Sequence, residues 1–322
     1  YIMLLLQSTL TTEMQFLPAD KPDGELKMIT PREKGIEYFA THHSGIFFIA
    51  TNEGAKNFKL MKTSVASTDR SQWQEVIAHR ADVMLEGIDS FKNYLVLQER
   101  RDGLKQIRIS DPDGVSNVKY VAFPEPAYYF EFEDNSVFES NILRFKYSSL
   151  ITPYTIVDVH MDTGEWEIKK VDVINSYDKS DYDIERSFAT ALDGTQVPMS
   201  VAYKRSLKLD GSNPTLLHGY GAYGANLDAE FIPHRLSLLD RGFVFAVGHI
   251  RGGSDMGRAW YEDGKVLKKK NSFTDFIACA EYLIRERFPT PGKLFAIGRS
   301  AGGLLMGAIT NIRPELFKGV LA

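Results

Sequence analysis

Leu294 to Phe317 reads LFAIGRSAGGLLMGAITNIRPELF: an apolar run, a glycine-rich turn carrying one serine, and a second apolar run that Pro314 stops. Within it Gly298, Ser300 and Gly302 spell G-x-S-x-G between a strand pattern and a helix pattern, the setting in which a serine is held on a strained turn with its hydroxyl presented. The flanking residues must be glycine because side chains there would strike the neighbouring strand and helix. Ser300 then stands at a helix N-terminus, whose dipole and free amides, that of Ala301 first, favour the oxyanion of acyl transfer. A glycine-rich turn with a bystander serine is the bland alternative. Strand, turn, helix and Gly303 together favour a nucleophile, and Arg299 reads as a polar turn residue.

A second glycine motif lies upstream. TLLHGYGAYGANLDAE, Thr215 to Glu230, carries Gly219, Gly221 and Gly224 as G-x-G-x-x-G after an apolar strand. A dinucleotide loop would need an acid near the end of the next strand to hold ribose. That strand ends His249, Ile250, Arg251, with no acid. In a hydrolase the same loop lies beside the nucleophile and gives the second oxyanion donor, and the Tyr220 hydroxyl at its tip suits that task.

Around these motifs the chain divides into two halves. From about Tyr182 strands and helices alternate, which predicts a mostly parallel sheet covered by helices. Its strands are VPMSVAY (197–203), TLLHG (215–219), FVFAVGHI (243–250) and LFAIG (294–298). Before the last of these, Phe273, Phe276, Ile277, Ala280, Leu283 and Ile284 form the apolar stripe of one helix, and Ser272 with Asp275 reads as its capping box.

Residues 1 to about 175 show short β-type runs and no helical period. GIFFIAT (45–51), NYLVLQE (93–99) and ILRFKYS (142–148) are each followed by two more runs, the unit recurring every 45 to 50 residues. That is the period of a four-stranded propeller blade; a β-sandwich is the competitor. The expected architecture is a partial β-propeller of about three to four blades over 1–178, then an incomplete α/β-hydrolase domain over 179–322.

Composition removes several function classes. A net charge of -4 and a pI near 6.0 leave no concentrated basic face for nucleic acid, and Lys268 to Lys270 read as a solvated loop. One cysteine, Cys279, permits neither an intrachain disulfide nor a thiolate metal cluster, and no metal-ligand spacing is present, so no metal or cofactor is expected. The apolar opening Ile2 to Leu6 is too short for a membrane span, and a cytoplasmic location is expected. No signal for a particular oligomeric state is present.

HGYGAYG (218–224), HIRGGSDMGRAWYEDGK (249–265), KKKNSFTDFIACAEYL (268–283) and GRSAGG (298–303) together resemble the prolyl oligopeptidase family. The likeness is residue by residue in the hydrolase half and one of propeller character in the N-terminal half. Ala301, where prolyl oligopeptidase proper carries Asn, favours the oligopeptidase B branch. The resemblance implies a serine peptidase that cuts short peptides after Arg or Lys, with the propeller filtering out folded proteins. It implies Ser300 as nucleophile, Tyr220 as oxyanion-hole hydroxyl beside the Ala301 amide, and Asp228 and Glu230 as acids favouring a basic residue next to the cleavage site. Glu230 departs from the branch's usual Asp but keeps the charge. Read without the family, both are ordinary first-turn helix acids.

In this fold the triad runs Ser, Asp, His along the chain. No Asp or His follows Ser300, and all seven histidines precede it. His249 and Asp255 are tempting substitutes, but His249 reads as a strand-end residue and Arg251 to Gly257 as a wall of the cleft or an interdomain face. The expectation is a sequence truncated at both ends, with its triad Asp and His and its P1-binding carboxylates beyond Ala322, and a chain that is inactive alone. The alternative is a catalytically dead scaffold that binds peptides or partner proteins.

Overall fold

The computed structural model describes all residues, 1 to 322. β1 (Ile2–Ser8), β2 (Thr11–Leu17) and β3 (Lys27–Met28) form a three-stranded antiparallel sheet. Three four-stranded antiparallel sheets follow, each a chain-consecutive meander. They are β4 (Tyr38–His43), β5 (Ile46–Thr51), β6 (Lys59–Ser64) and β7 (Gln74–Ile77); β8 (Val83–Phe91), β9 (Tyr94–Arg101), β10 (Leu104–Ser110) and β11 (Lys119–Tyr120); then β12 (Tyr129–Phe132), β13 (Ile142–Ser148), β14 (Thr155–His160) and β15 (Trp166–Val171). These are propeller blades, and the repeat read from the sequence is their β5, β9 and β13. The hairpins are tight because the turn residues allow it: Ser44–Gly45 and Asp102–Gly103 each have two successive positive φ angles, the two-residue turn that matches strand twist. Buried aromatic and aliphatic side chains, among them Phe91, Ile107, Phe130, Phe145 and Val157, fill the space between neighbouring blades.

The second half is built on one six-stranded sheet. In chain order its elements are β16 (Tyr182–Thr190), β17 (Gln196–Lys204), β18 (Thr215–His218), α1 (Leu236–Leu239), β19 (Val244–Gly248), α2 (Arg258–Glu262), α3 (Lys270–Arg285), β20 (Leu294–Ile297), α4 (Ala301–Ile312) and β21 (Gly319–Leu321). The sheet order is β16-β17-β19-β18-β20-β21, antiparallel through β17 and parallel from β19 onward. α3 and α4 cover one face, where Val201, Leu217, Ala246, Phe276, Leu283, Leu305 and Ile309 form a dry core. α3 presents the expected stripe, with Phe276, Ile277, Ala280 and Leu283 buried. No helix is long and apolar enough to cross a membrane.

The capping-box reading of Ser272 and Asp275 is corrected. α3 begins earlier, at Lys270, with no side-chain cap. Ser272 instead donates to the Arg251 carbonyl at 2.6 Å, and Asp275 grips the Arg251 guanidinium. A buried cation from another segment offers the carboxylate more than one exposed amide does.

Candidate active site

β18 and β20 lie side by side in parallel, His218 opposite Ile297, and the Gly219 amide donates to the Ile297 carbonyl at 3.1 Å. The loops leaving their carboxyl ends therefore emerge together, where a parallel sheet presents its ligands. One loop carries Tyr220 and the other Ser300.

Ser300 has φ 58° and ψ −120°, a backbone conformation costing about 1–3 kcal/mol that the surroundings must impose. Close packing does so. A Cβ at Gly298 would lie 2.5 Å from the Gly302 carbonyl oxygen, and one at Gly302 would lie 2.9 Å from that of Gly219. The exposed Ser300 side chain makes no capping bond to α4, so its hydroxyl is free. The Ala301 amide, first in α4, has no acceptor within the chain, as helix geometry requires. Tyr220, half-buried, packs its ring and Cα against Gly302. Ser300, the Ala301 amide and Tyr220 thus meet at one elbow.

Behind the Tyr220 loop lies the segment Arg251 to Gly257, buried except for half-buried Met256. The Gly224 amide donates to Gly252, and a Cβ at Gly252 would fall 2.0 Å from the Gly221 carbonyl oxygen. Lys269 donates to that same Gly221 oxygen. Arg251 holds the layer to α3 through two bonds to Asp275, at 2.9 and 2.6 Å, and reaches Asp193 at 2.6 Å. The segment also meets the propeller: a Cβ at Gly257 would lie 2.8 Å from Asn57, whose side-chain oxygen accepts the Arg258 amide.

His249 and Asp255 face each other and not Ser300. His249 Nδ1 lies 3.3 Å from Asp255, and its Nε2 lies 2.8 Å from the Ser200 hydroxyl, with all three residues buried. Sequence reasoning missed Ser200, whose only signal was a hydroxyl inside an apolar strand. No hydrogen bond of any histidine reaches Ser300.

Asp228 and Glu230 sit in irregular backbone, so they are not first-turn helix acids. Both turn to the propeller. Asp228 takes a fork from Arg100 of β9, at 2.8 and 3.3 Å, and Glu230 accepts from the Tyr154 hydroxyl. Burial pushes the Asp228 carboxyl up, but Arg100 outweighs it and leaves the group below the ordinary carboxylate range. Arg100 was not a sequence-level candidate, because nothing local marks a pairing across 128 residues.

Residues 1–172 match the family described as "Prolyl oligopeptidase, N-terminal beta-propeller domain", and residues 229–322 match "Prolyl oligopeptidase family". Ser300, Ala301 and Glu230 fall inside these matches; Tyr220 and Asp228 fall between them. Similar curated proteins include dipeptidyl aminopeptidase BI of Pseudoxanthomonas mexicana, 41% identical over 100% of this chain and 44% of its own length, and protease 2 of Moraxella lacunata, 37% identical over 100% and 46%. The chain thus spans less than half the length of these relatives. Similar solved structures include oligopeptidase B from Leishmania major, with TM-score 0.87 and 41% identity over 98% of this chain and 46% of that one. Another is oligopeptidase B from Trypanosoma brucei in a closed form with covalently bound antipain, with TM-score 0.88 and 38% identity over 99% and 47%.

Proposed function

The chain belongs to the prolyl oligopeptidase family, and from that premise we propose that it carries the nucleophile and oxyanion side of a serine oligopeptidase that cleaves short peptides after Arg or Lys. Ser300 attacks the scissile carbonyl to give an acyl-enzyme, while Tyr220 and the Ala301 amide take the oxyanion. The observation that carries the reading is the strained Ser300 backbone, packed through Gly302 against Gly219 and Tyr220.

The preference for basic peptides rests on two carboxylates, Asp228 and Glu230, set where hydrolase meets propeller. The general base is assigned outside these 322 residues, because no histidine here bonds to Ser300 and the fold orders its triad Ser, Asp, His. The 322-residue polypeptide alone is accordingly proposed to be inactive.

The test uses the full-length polypeptide that contains this sequence. Fluorogenic peptides ending in Arg should be cleaved and those ending in Pro should not, with an organophosphonate labelling Ser300. Peptide binding without turnover or labelling would replace the peptidase by a binding scaffold.

A further inference from the structure

Arg100 is 3% exposed and stands where the two halves meet. Its Nε donates to Glu86 of β8 at 2.6 Å, while its two terminal nitrogens grip Asp228. Asp255, 2% exposed, acts on this guanidinium without bonding to it, and its Oδ1 accepts no hydrogen bond but faces His249 Nδ1 at 3.3 Å. One guanidinium therefore bonds two carboxylates, Glu86 and Asp228. Lys105 and His249 act on Asp228 from further off. Lys105 is already committed to the propeller, donating to the Phe130 carbonyl at 2.9 Å and lying over the Tyr129 ring. Two carboxylates thus share one bonded cation, and a cationic ligand would even the count.

We infer that Arg100 is a specificity-determining residue of the proposed peptidase: it is a tethered cation that occupies Asp228 and must be exchanged for the basic side chain of the peptide. This rests on the peptidase reading of the site. The tether gives Arg100 a high effective concentration, so a peptide's Lys or Arg meets Asp228 already taken. Its apparent affinity falls by the fraction of time Asp228 is free. After the exchange Arg100 keeps Glu86, so neither partner is stranded as a lone buried charge. Arg100 thus keeps Asp228 from standing as an uncompensated carboxylate, at the expense of basic-peptide affinity.

The experiment compares the full-length enzyme with Arg100→Met, Arg100→Lys and Asp228→Asn on two matched substrates. Both are cleaved after Arg, one with Lys and one with Ala in the preceding position. The expected result is that Arg100→Met raises the ratio of KM for the Ala peptide over the Lys peptide by roughly three- to tenfold. Arg100→Lys, which keeps the charge and loses the fork, should fall between. In an Asp228→Asn background the ratio should approach one and no longer respond to Arg100. A positioning role alone would move KM of both peptides together, or only kcat, and that outcome overturns the inference. If Arg100→Met does not fold, an unchanged ratio in Arg100→Lys overturns it. If the unmutated enzyme cleaves neither peptide, the peptidase reading fails instead. Binding of acetyl-Lys-Arg-amide then decides: tightening in the Arg100 variants supports the exchange, and unchanged affinity overturns it.

Discussion

The carbonyl oxygen of Gly219 lies 2.9 Å from where a Cβ at Gly302 would be built. Backbone on one side and a helix turn on the other leave no flexible side chain to give way, so the elbow and the Tyr220 loop are fitted to each other through this contact. Gly302→Ala must push the Tyr220 loop away from Ser300. Misplacement by about 1 Å costs on the order of a hundredfold in rate, which sets the upper bound for this shift. Full-length Gly302→Ala should fold with a near-normal melting temperature and lose up to about that factor in kcat/KM, whereas Gly303→Ala, where a Cβ meets open space, should change little.

Tyr220 and Ser300 separate binding from chemistry. Ser300→Ala should abolish turnover and organophosphonate labelling. Tyr220→Phe removes the proposed oxyanion donor and should lower kcat by about 10²–10³ with KM little changed. A Tyr220→Phe enzyme with full kcat would mean that the hydroxyl does not face the oxyanion.

Some of this was legible in the sequence because the determining pattern is local. β5, β9 and β13 each mark one blade, and G-x-S-x-G between strand and helix makes Ser300 stand out. The first strand of each full blade, β4, β8 or β12, was not legible: Tyr38–His43, with two histidines and a threonine, does not alternate cleanly. Asp275 was misread because a capping box is defined by spacing alone, and spacing does not reveal that Arg251 arrives from another strand end. Arg100 and Asp228 fail the same way, since a cation in a blade and an acid in a hydrolase loop have no sequence relation until the halves dock.

Arg251 differs sharply in its two partners. Asp275 is fully buried beneath it, while the Asp193 side chain is 48% exposed in the β16–β17 turn. Arg251→Met strands the Asp275 carboxylate and should cost about 3–5 kcal/mol. Asp193→Asn loses a solvent-screened pair and should cost about 1 kcal/mol or less. Arg251 holds the Asp193 carboxyl down to about 2, so its contribution is complete above the ordinary carboxylate range and fades only as pH falls toward 2. Urea unfolding of the three chains at pH 7 and pH 3 checks the ranking; equal losses for the two substitutions would contradict it.

His218 supplies the acid sensitivity nearest the site. It ends β18, immediately before Gly219 and Tyr220, and burial, reinforced by the nearby Arg235 charge, pulls its imidazole down to about 4. The folded chain therefore keeps His218 neutral while the unfolded chain takes up a proton below about 6.5. Its contribution to stability is complete above about pH 6.5, declines as pH falls, and is exhausted near pH 4, a difference on the order of 3 kcal/mol. Urea midpoints of the parent and His218→Gln should diverge between pH 7.5 and 4.5, the parent losing more with acid. Parallel losses over that range would show that the imidazole is protonated in the fold and that burial does not govern it.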